Sequence, residues 1–436
     1  MTSYEPKAIS KSVKYFKVLS FTLAIVIIFN LITAFIETSN EAEETALVQD
    51  LAMHFIEKEK AKIYVERKKA LKEALDVYFQ AAIKAGDIVG AGVSIVQGDS
   101  IVISDGFGKR SVKQIANVDG ETVFRLGSIS KGFGGVLAAS LQSKGTLSFD
   151  DKIVTYLPDF TFGDENNTQN IKLSHILSHT SGTPYHSFTN LVEAGISVAN
   201  IANRFGEVKP ISAPGEQYSY QNAMFSLGQE VMRKATGKDV KTLLTDTFFT
   251  PLNMSNISMN HKDLLKEKNV ALPHRRSGKS WQPTPLTDKY YNAVLAGGIN
   301  ASSLDMAKWM RFLLGHNPDV MALGAMKQAF EPFIELGNNN KYYQRWEGHV
   351  QSSYGFGWRI HEYKKTDSEA TETVFHHGGS VNNYRNEIAL YPESDLGVCV
   401  LINGNSRIAR NVIPDLYAIV KKVYEDKEVH SGSEKS

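Results

Sequence analysis

A serine and a lysine three residues apart are the pair whose types and spacing most directly point to chemistry. Ser128 and Lys131 form the only Ser-x-x-Lys of the chain. On a helix that begins at Ser128, positions i and i+3 share one face, so the ammonium can approach the hydroxyl. A serine attacks a carbonyl only after a base removes its proton, and a lysine is such a base only when burial or nearby charge lowers its pKa. The pair predicts nucleophilic catalysis, although a serine N-cap followed by a solvent-facing lysine gives the same pattern.

A tyrosine and an asparagine further along the chain could complete such a site. Tyr220 and Asn222 follow a segment rich in turn residues. A phenol beside the lysine could relay the proton of the serine, and the asparagine amide could hold a substrate carbonyl or the lysine. The pattern Tyr-x-Asn also occurs at residues 290–292 and 384–386. Spacing alone therefore leaves open which of the three belongs to a site.

Two histidines and two glycines form a third group of candidates. His376, His377, Gly378 and Gly379 follow the apolar residues 374–375. Glycines at a strand edge let a substrate backbone approach, and an unobstructed N–H can face an oxyanion. The alternative is a turn at the end of a strand with two surface histidines.

Other kinds of site are disfavoured by spacing. Residues 278–280 resemble part of a phosphate-binding loop, but the glycine required earlier is Pro273. The chain has no Gly-x-Ser-x-Gly, the nucleophile motif of α/β-hydrolases. His175 and His179 have the spacing of zinc ligands on a helix, but Ile176 stands where a metalloprotease has its glutamate, and no third ligand is evident. We therefore predict no metal and no cofactor.

Composition excludes several classes of protein. The 436 residues contain 48 Lys and Arg against 47 Asp and Glu, a net charge of +1. Such a balance lacks the basic footprint of a nucleic-acid-binding protein. A hydrophobic content of 42% is ordinary for a globular protein. The single cysteine, Cys399, excludes an intrachain disulfide framework and lies in an apolar run typical of a buried thiol.

The elements that must position these residues lie at both ends of the domain. Apolar runs bounded by turn residues predict strands at residues 92–96, 101–103, 353–360, 386–391 and 397–402. A helical and loop-rich middle separates the two groups, and an amphipathic helix is predicted over residues 408–424. This layout indicates one antiparallel sheet assembled from both chain ends, with the middle folded as a second lobe.

The N-terminal segment has the properties of a membrane anchor. Residues 18–36 contain no charge, and a helix of this length spans about 28 Å, close to the thickness of the hydrocarbon core. Four lysines precede it and four glutamates follow it within a few residues. The positive-inside rule then places residues 1–17 in the cytoplasm and the rest outside. A cleaved signal peptide is the alternative, but its apolar region is shorter, and no small-x-small cleavage site follows Ile36.

These observations predict the following organisation. Residues 1–17 form a cytoplasmic tail, 18–36 a transmembrane signal anchor, 37–70 a helical stalk, 71–430 a globular domain that carries the candidate catalytic residues and 431–436 a disordered tail. We expect a single-pass protein of the inner (plasma) membrane whose catalytic domain is extracytoplasmic, or periplasmic.

Taken together, the motifs resemble the serine β-lactamase-related family, in its class C β-lactamase and penicillin-binding-protein-like branch. The resemblance runs in order from Leu71 to Tyr424. Its further matching segments are residues 145–158, 171–182, 214–215, 296–299 and 354–358. The resemblance implies an α+β fold of the β-lactamase/transpeptidase type, in which helices flank an antiparallel sheet and a helical lobe completes the cleft.

The resemblance also implies roles for individual residues. Ser128 would be the acylated nucleophile, Lys131 its proton acceptor, and Tyr220 the residue that activates the serine or the deacylating water. Asn222 would orient the substrate. The backbone N–H groups of Ser128 and Gly379 would form the oxyanion hole.

The histidine motif departs from the pattern of the family. His376, His377 and Gly378 occupy the place of a Lys-Thr-Gly motif and would contact the substrate, and a register one residue later is the alternative. A titratable His376 in place of a permanent charge predicts a preference for neutral esters or amides over β-lactams that carry a carboxylate.

The function implied is that of a serine hydrolase acting through an acyl-enzyme on an amide, β-lactam or ester. Within the family the alternatives are a β-lactamase, a D-amino-acid peptidase or carboxypeptidase, and a carboxylesterase. An inactive peptide-binding pseudoenzyme is the alternative from another class. The expected partners are a small-molecule or peptide substrate and the membrane, without nucleic acid or metal.

Overall fold

The computed structural model describes residues 41–365 and 370–431 of the chain. Its strands are Gly90–Gln97 (β1), Ser100–Gly108 (β2), Val123–Arg125 (β3), His274–Ser277 (β4), Ser280–Pro283 (β5), Asn300–Ser302 (β6), Ile334–Glu335 (β7), His349–Tyr354 (β8), Arg359–Lys364 (β9), Thr371–Val381 (β10), Tyr384–Tyr391 (β11) and Leu396–Ile402 (β12).

The helices alternate with these strands and concentrate in the middle of the chain. They are Glu41–Lys84 (α1), Ser130–Ser143 (α2), Ile153–Tyr156 (α3), Glu165–Asn170 (α4), Leu173–Leu177 (α5), Thr189–Glu193 (α6), Val198–Ala202 (α7), Asn222–Thr236 (α8), Val240–Leu244 (α9), His261–Lys266 (α10), Val294–Gly297 (α11), Ser303–Leu313 (α12), Leu323–Lys327 (α13) and Val412–Ser431 (α14).

The chain divides into two compact units. Residues 75–417 contain the strands and the helices from α2 to α13. The described part of the other unit consists of residues 41–74 of α1 and residues 418–431 of α14. The predicted domain limits are not tested by this division and stay predictions.

The N-terminal anchor predicted at residues 18–36 lies outside the described residues. Within residues 41–365 and 370–431, no helix combines the length and the apolar composition that crossing a bilayer requires. Most of the predicted disordered tail, residues 432–436, also lies outside the description, and α14 ends at Ser431.

An eight-stranded sheet is the main feature of the larger unit. Its order among the described strands is β2-β1-β12-β11-β10-β9-β8-β7, and its neighbouring strands pair antiparallel. Strands from both ends of the domain meet where β1 pairs with β12. The predicted α+β class and the sheet built from both chain ends are therefore confirmed.

Side chains alternate along a strand, so each face of the sheet presents its own set of side chains and packs on different helices. Phe79 of α1 stacks on Phe107 of β2, with ring centroids 4.5 Å apart. On the other face, α12 packs on β1, β2 and β12, where Met310 lies against Gly397. The α2 helix belongs to the core on the α12 side, since Phe133 stacks on Trp309 at 4.1 Å.

The prediction of one continuous strand over residues 353–360 is wrong, because a turn interrupts it. Strand β8 ends at Tyr354 and β9 begins at Arg359. Gly357 has a φ of +81°, and a Cβ atom there would collide with the carbonyl oxygen of Lys131. The glycines therefore form a tight turn that packs on the first turn of α2 and holds it against the sheet.

Candidate active site

Ser128 lies where a short 3-10 turn, Gly127–Ile129, leads into α2. The α-helix thus begins at Ser130, two residues later than the helix assumed for the Ser-x-x-Lys pair. Ser128 is half-buried, whereas Lys131 is fully buried. The serine is therefore accessible at the entrance, and the lysine lies beneath it in a dry environment.

The amine of Lys131 is held by two acceptors. Nζ donates to Oδ1 of Asn222 at 2.7 Å and to the carbonyl oxygen of Ala296 at 2.8 Å. Burial, and then the charge of Arg359, lowers the pKa of Lys131 well below its ordinary value of 10.5. Desolvation disfavours the ammonium, so the neutral amine is populated at lower pH than in an exposed lysine. Lys131 can consequently serve as a base.

Tyr220 is a neighbour of both the serine and the lysine. Burial raises the pKa of Tyr220, while a hydrogen bond with the Ser128 side chain and the charges of two arginines act to lower it. The Nζ of Lys131 is 4.8 Å from the centroid of the Tyr220 ring. The phenol is therefore the candidate to relay a proton between the hydroxyl and the amine.

A histidine of the preceding loop supports Tyr220 from behind. The His179 ring lies 4.3 Å from the Tyr220 ring, and its Nδ1 accepts the backbone N–H of Gln221 at 3.1 Å. This bond requires the proton on Nε2, which fixes the tautomer. The structure thus gives this loop residue a positioning role instead of a place in a metal site.

The other two Tyr-x-Asn sequences differ in their relation to the site. Tyr290 accepts a hydrogen bond from Nδ2 of Asn222 at 3.1 Å, so it orients the amide that holds Lys131. Tyr384 is buried elsewhere and donates to the carbonyl oxygen of Ala271. Sequence reasoning assigned no role to Tyr290, and its Tyr-x-Asn context was the only available signal.

The two adjacent histidines differ in position as well as in environment. His376 is fully buried, and its Nε2 and Nδ1 lie 2.9 Å from Glu387 Oε2 and 3.2 Å from His361 Nε2. Both ring nitrogens are engaged, so the expected contact between this imidazole and a substrate has no geometric support. His377 faces the site instead, with its ring 6.4 Å from that of Tyr220 and Nε2 3.1 Å from the hydroxyl of Tyr354.

Neither imidazole supplies a permanent positive charge. Burial lowers the pKa of His376 and, together with the charges of Arg359 and Lys131, lowers the pKa of His377 well below 6.5. The His377 ring is accordingly neutral at pH 7, and Glu387, 2.9 Å from His376, balances any charge on that second ring.

The β10–β11 hairpin decides which backbone N–H groups face the cleft. Asn382 and Asn383 both have positive φ, as a two-residue type I′ turn requires, and Val381 pairs with Tyr384. Hydrogen-bonded pairs alternate with non-bonded pairs along an antiparallel ladder, so the N–H of Gly379 points to Asn386 in β11. The N–H of Ser380 points to the opposite edge.

The packing around Gly379 and Gly127 agrees with this register. A Cβ atom on Gly379 would collide with the carbonyl oxygen of Leu126, so only glycine fits there. A Cβ atom on Gly127 would lie 2.8 Å from the backbone nitrogen of Ser380, which places that nitrogen beside the turn that carries Ser128.

These contacts reassign two of the residues expected from the resemblance. The motif becomes His377, Gly378 and Gly379, one residue later than the preferred register. The second oxyanion donor becomes Ser380 instead of Gly379, because the Gly379 N–H is committed to the sheet. The sequence does hold a signal for this register. Asn382 and Asn383 are residues that favour a type I′ turn, and counting back from that turn along β10 gives the alternation of its N–H groups.

No metal centre is evident in the part of the chain that the structure describes, where no three His, Cys, Asp or Glu residues converge as ligands. His175 accepts the backbone N–H of Lys172 at Nδ1. The described site thus brings together a serine hydroxyl, a buried amine, a phenol and two candidate oxyanion donors, the kinds of group that acyl transfer needs.

Comparison with known proteins gives a consistent result. The model of the family described as Beta-lactamase matches residues 75–419. Protein flp of Staphylococcus aureus (strain MRSA252) is 23% identical over 356 residues, which cover 79% of this chain and 65% of flp. Unguisins hydrolase ungD' of Aspergillus campestris is 25% identical over 362 residues, covering 80% of this chain and 64% of that protein. The chain thus spans slightly less than two thirds of the length of these curated relatives.

Solved structures share the fold. The octameric penicillin-binding protein homologue from Pyrococcus abyssi aligns with a TM-score of 0.67 and 22% identity, over 79% of this chain and 77% of that chain. EstCE1, a hydrolase with promiscuous acyltransferase activity, aligns with a TM-score of 0.68 and 18% identity, over 81% and 99% of the two chains. With the family model matched over most of its length, the chain belongs to the Beta-lactamase family of serine hydrolases.

Proposed function

We propose that the protein is a membrane-anchored, extracytoplasmic serine hydrolase that cleaves an ester or amide through an acyl-enzyme on Ser128. One observation carries the proposal. The Ser128 side chain lies close enough to Tyr220 to lower the pKa of its phenol, and the ring of Tyr220 lies beside the buried, low-pKa amine of Lys131. A serine that only caps a helix needs neither partner.

The acylation step follows from this arrangement. The Ser128 proton passes to the pair formed by Tyr220 and Lys131 while Oγ bonds to the substrate carbonyl carbon. The negative charge that develops on the carbonyl oxygen is met by the N–H groups of Ser128 and Ser380. The proton then goes to the leaving alcohol or amine as its bond to the carbonyl carbon breaks. Water, deprotonated by the same pair, releases the acid and restores the serine.

The neutral histidine at the place of the family lysine favours ester or amide hydrolysis over β-lactam hydrolysis. The fold shared with EstCE1 and the sequence similarity to unguisins hydrolase support a hydrolase outside the β-lactamases proper. A D-amino-acid peptidase or carboxypeptidase remains the second candidate, because the resemblance to penicillin-binding proteins is equally broad.

The membrane location rests on the sequence. The uncharged residues 18–36 and the lysines before them support a single-pass anchor with the catalytic domain outside the cytoplasm.

Covalent labelling tests the proposal. A fluorophosphonate or penicillin probe should label the wild-type protein, and Ser128→Ala should abolish labelling while the thermal unfolding transition is retained. A wild-type protein that no probe labels and that turns over no ester or amide would support the pseudoenzyme. Labelling that persists in Ser128→Ala would place the nucleophile elsewhere.

A further inference from the structure

The reactivity of the Lys131 amine depends on how the amide of Asn222 is turned. Nζ of Lys131 donates to Oδ1 of Asn222 at 2.7 Å and to the carbonyl oxygen of Ala296 at 2.8 Å. A neutral amine has two N–H groups and one lone pair. Since these two acceptors occupy both N–H groups, the lone pair is the position left to take the proton of Ser128.

The opposite orientation of the same amide would block the base. The side chain of Asn222 carries an acceptor and a donor of nearly equal size, and a half rotation exchanges Oδ1 with Nδ2. An Nδ2 group turned towards Lys131 would donate a hydrogen bond into the lone pair of the neutral amine. The amine would then be deprotonated and yet unable to accept a proton. The base therefore requires a contact that fixes which end of the amide faces it.

Tyr290 supplies the first part of that constraint. Nδ2 of Asn222 donates to the hydroxyl of Tyr290 at 3.1 Å, and both atoms are buried. A hydroxyl both donates and accepts, so a phenol alone would tolerate either orientation of the amide. The constraint is complete only when the proton of the phenol is committed to another acceptor.

Glu193, at the end of α6, is positioned to be that acceptor. Burial raises the pKa of Tyr290, and so do the charge of Glu193 and a contact with its side chain. Oε2 of Glu193 pairs with Nζ of Lys289, the residue before Tyr290, at 2.6 Å. An ionised carboxylate only accepts hydrogen bonds, so the phenol donates to it. The phenol oxygen is then left to accept from Nδ2, and Oδ1 has to face Lys131.

The backbone of Tyr290 shows that its surroundings specify this position. Its φ is +71°, a left-handed conformation that a bulky residue rarely adopts. A Cβ atom on Gly298 would lie 2.5 Å from the carbonyl oxygen of Tyr290, and one on Gly297 would lie 3.1 Å from Cδ1 of its ring. Two glycines next to Ala296 thus make room for the tyrosine. Strained residues that a structure retains in this way are concentrated at functional sites.

Several charged and titratable groups surround these contacts. Near Glu193, Tyr290 and Lys131 they include Lys289, His186, Tyr220, His179, His377 and Arg359. Burial and the charge of Lys131 lower the pKa of His186, and the charge of Glu193 opposes them. A test must therefore separate the charge of Glu193 from its contact with Tyr290.

We propose that Glu193 and Tyr290 are positioning residues that keep the Asn222 amide from capturing the lone pair of Lys131. The inference rests on the proposed hydrolase function and adds two residues to the support of its base. The ammonium form of Lys131 has no lone pair, so it holds Oδ1 by itself. The constraint matters for the neutral amine, which is the catalytic form.

Fluorophosphonate labelling of Ser128 across pH tests this role, and Tyr290→Phe removes the hydroxyl while it keeps the ring. At high pH, where the amine is neutral, the labelling rate should fall about ten- to a hundredfold, the cost of a misplaced catalytic group. At low pH, where the ammonium holds Oδ1, the rate should remain that of the wild type. The acid limb should therefore move to lower pH by about one unit for each tenfold loss.

A double-mutant cycle separates the two effects of Glu193. Glu193→Gln should also lower the rate at high pH, because a glutamine amide offers the phenol a donor as well as an acceptor. Added to Tyr290→Phe, it should change the rate by no more than about twofold, whereas an independent effect of its charge would multiply the two losses. Glu207→Gln is the matched control, since it removes the carboxylate of another ion pair, with Arg204 at 2.8 Å, and should leave the pH profile unchanged.

The outcomes separate the two proposals. Equal losses at low and high pH, wild-type profiles in both variants, independent losses in the double variant, or the same shift in Glu207→Gln would overturn the positioning role alone. If Tyr290→Phe shows no cooperative thermal unfolding, the profile of the half-exposed Glu193→Gln decides. Absence of Ser128 labelling in the wild-type protein at every pH would overturn the proposed hydrolase function, and the positioning role with it.

Discussion

At the scale of the residue, burial is what converts an ordinary Ser-x-x-Lys pattern into a reactive one. Lys131 is fully buried, and its amine donates to Asn222 and Ala296. Spacing predicts that the lysine and the serine share a helix face, but it does not predict that the lysine is buried away from water. The low pKa of Lys131 arises only when the surrounding elements exclude solvent.

Tyr220→Phe tests the role of the Tyr220 hydroxyl separately from the packing of its ring. The substitution removes the hydroxyl whose pKa the Ser128 side chain lowers and keeps the ring that packs on His179. We expect kcat/KM to fall about 10²- to 10⁴-fold, the usual worth of general acid–base catalysis, with little change in the unfolding temperature. Tyr185→Phe, which alters an exposed phenol, is the control. Equal activity of Tyr220→Phe and wild-type enzyme would remove the phenol from the mechanism.

The protonation of Lys131 should be visible in the pH dependence of activity. Because the neutral amine is the base, kcat/KM should fall as pH decreases through the folded pKa of Lys131, which lies well below 10.5. An acid limb on kcat/KM, absent from the residual activity of Lys131→Met, is the expected result. An activity that rises only near pH 10.5 would show that the lysine is an ordinary exposed amine.

The same group should affect stability. Between the folded pKa and the unfolded value near 10.4, the unfolded state binds one more proton than the folded state. The free energy of unfolding should therefore decrease as pH falls through this window. In denaturant titrations, Lys131→Met should lose this slope, and an identical pH dependence in both proteins would contradict it.

At the scale of the element, the hairpin register determines which backbone atoms reach the substrate. The β10 strand presents alternate N–H groups to β11 and to the cleft, and the turn at Asn382 and Asn383 sets which ones. His377 and Gly379 point to the helical lobe, whereas His376 and Gly378 point to the other face. A shift of one residue would exchange these roles completely.

Two alanine substitutions in β10 test this register. Gly379→Ala should collide with the backbone of Leu126, displace the strand from the Ser128 turn and lower the labelling rate at least about tenfold, with a loss of roughly 1–3 kcal/mol of stability. Gly378→Ala would meet the ends of the Glu387 and Tyr342 side chains, both at 2.7 Å, and these can move. It should therefore retain more activity and stability, and the reverse order would contradict the register.

At the scale of the whole molecule, the sheet joins distant parts of the chain into one site. The serine follows β3, the phenol precedes α8, and the histidine and oxyanion donor belong to β10. The pairing of β1 with β12 joins strands from both ends of residues 75–417 in one open sheet. The site therefore draws its residues from distant parts of the compact unit of residues 75–417.

The proposed anchor makes a prediction for the complete chain. Full-length protein should remain in the membrane fraction after extraction with high salt and alkaline carbonate, because residues 18–36 are apolar throughout. Removal of residues 1–40 should release the protein in a form that fluorophosphonate still labels. N-terminal sequencing of the mature protein provides the control, and a start near residue 40 would show that the segment is cleaved.

The sequence by itself determined the family, the α+β class and the sheet built from both chain ends, because apolar periodicity and ordered motifs are local patterns. It also brought forward Ser128, Lys131 and Tyr220 as a candidate site. Three features depend on contacts between distant segments, and only the tertiary structure revealed them. They are the turn that splits residues 353–360, the His377–Gly379 register and the hydrogen bonds that occupy both ring nitrogens of His376. Burial and hydrogen-bond satisfaction are properties of the folded chain, and no spacing within the sequence encodes them directly.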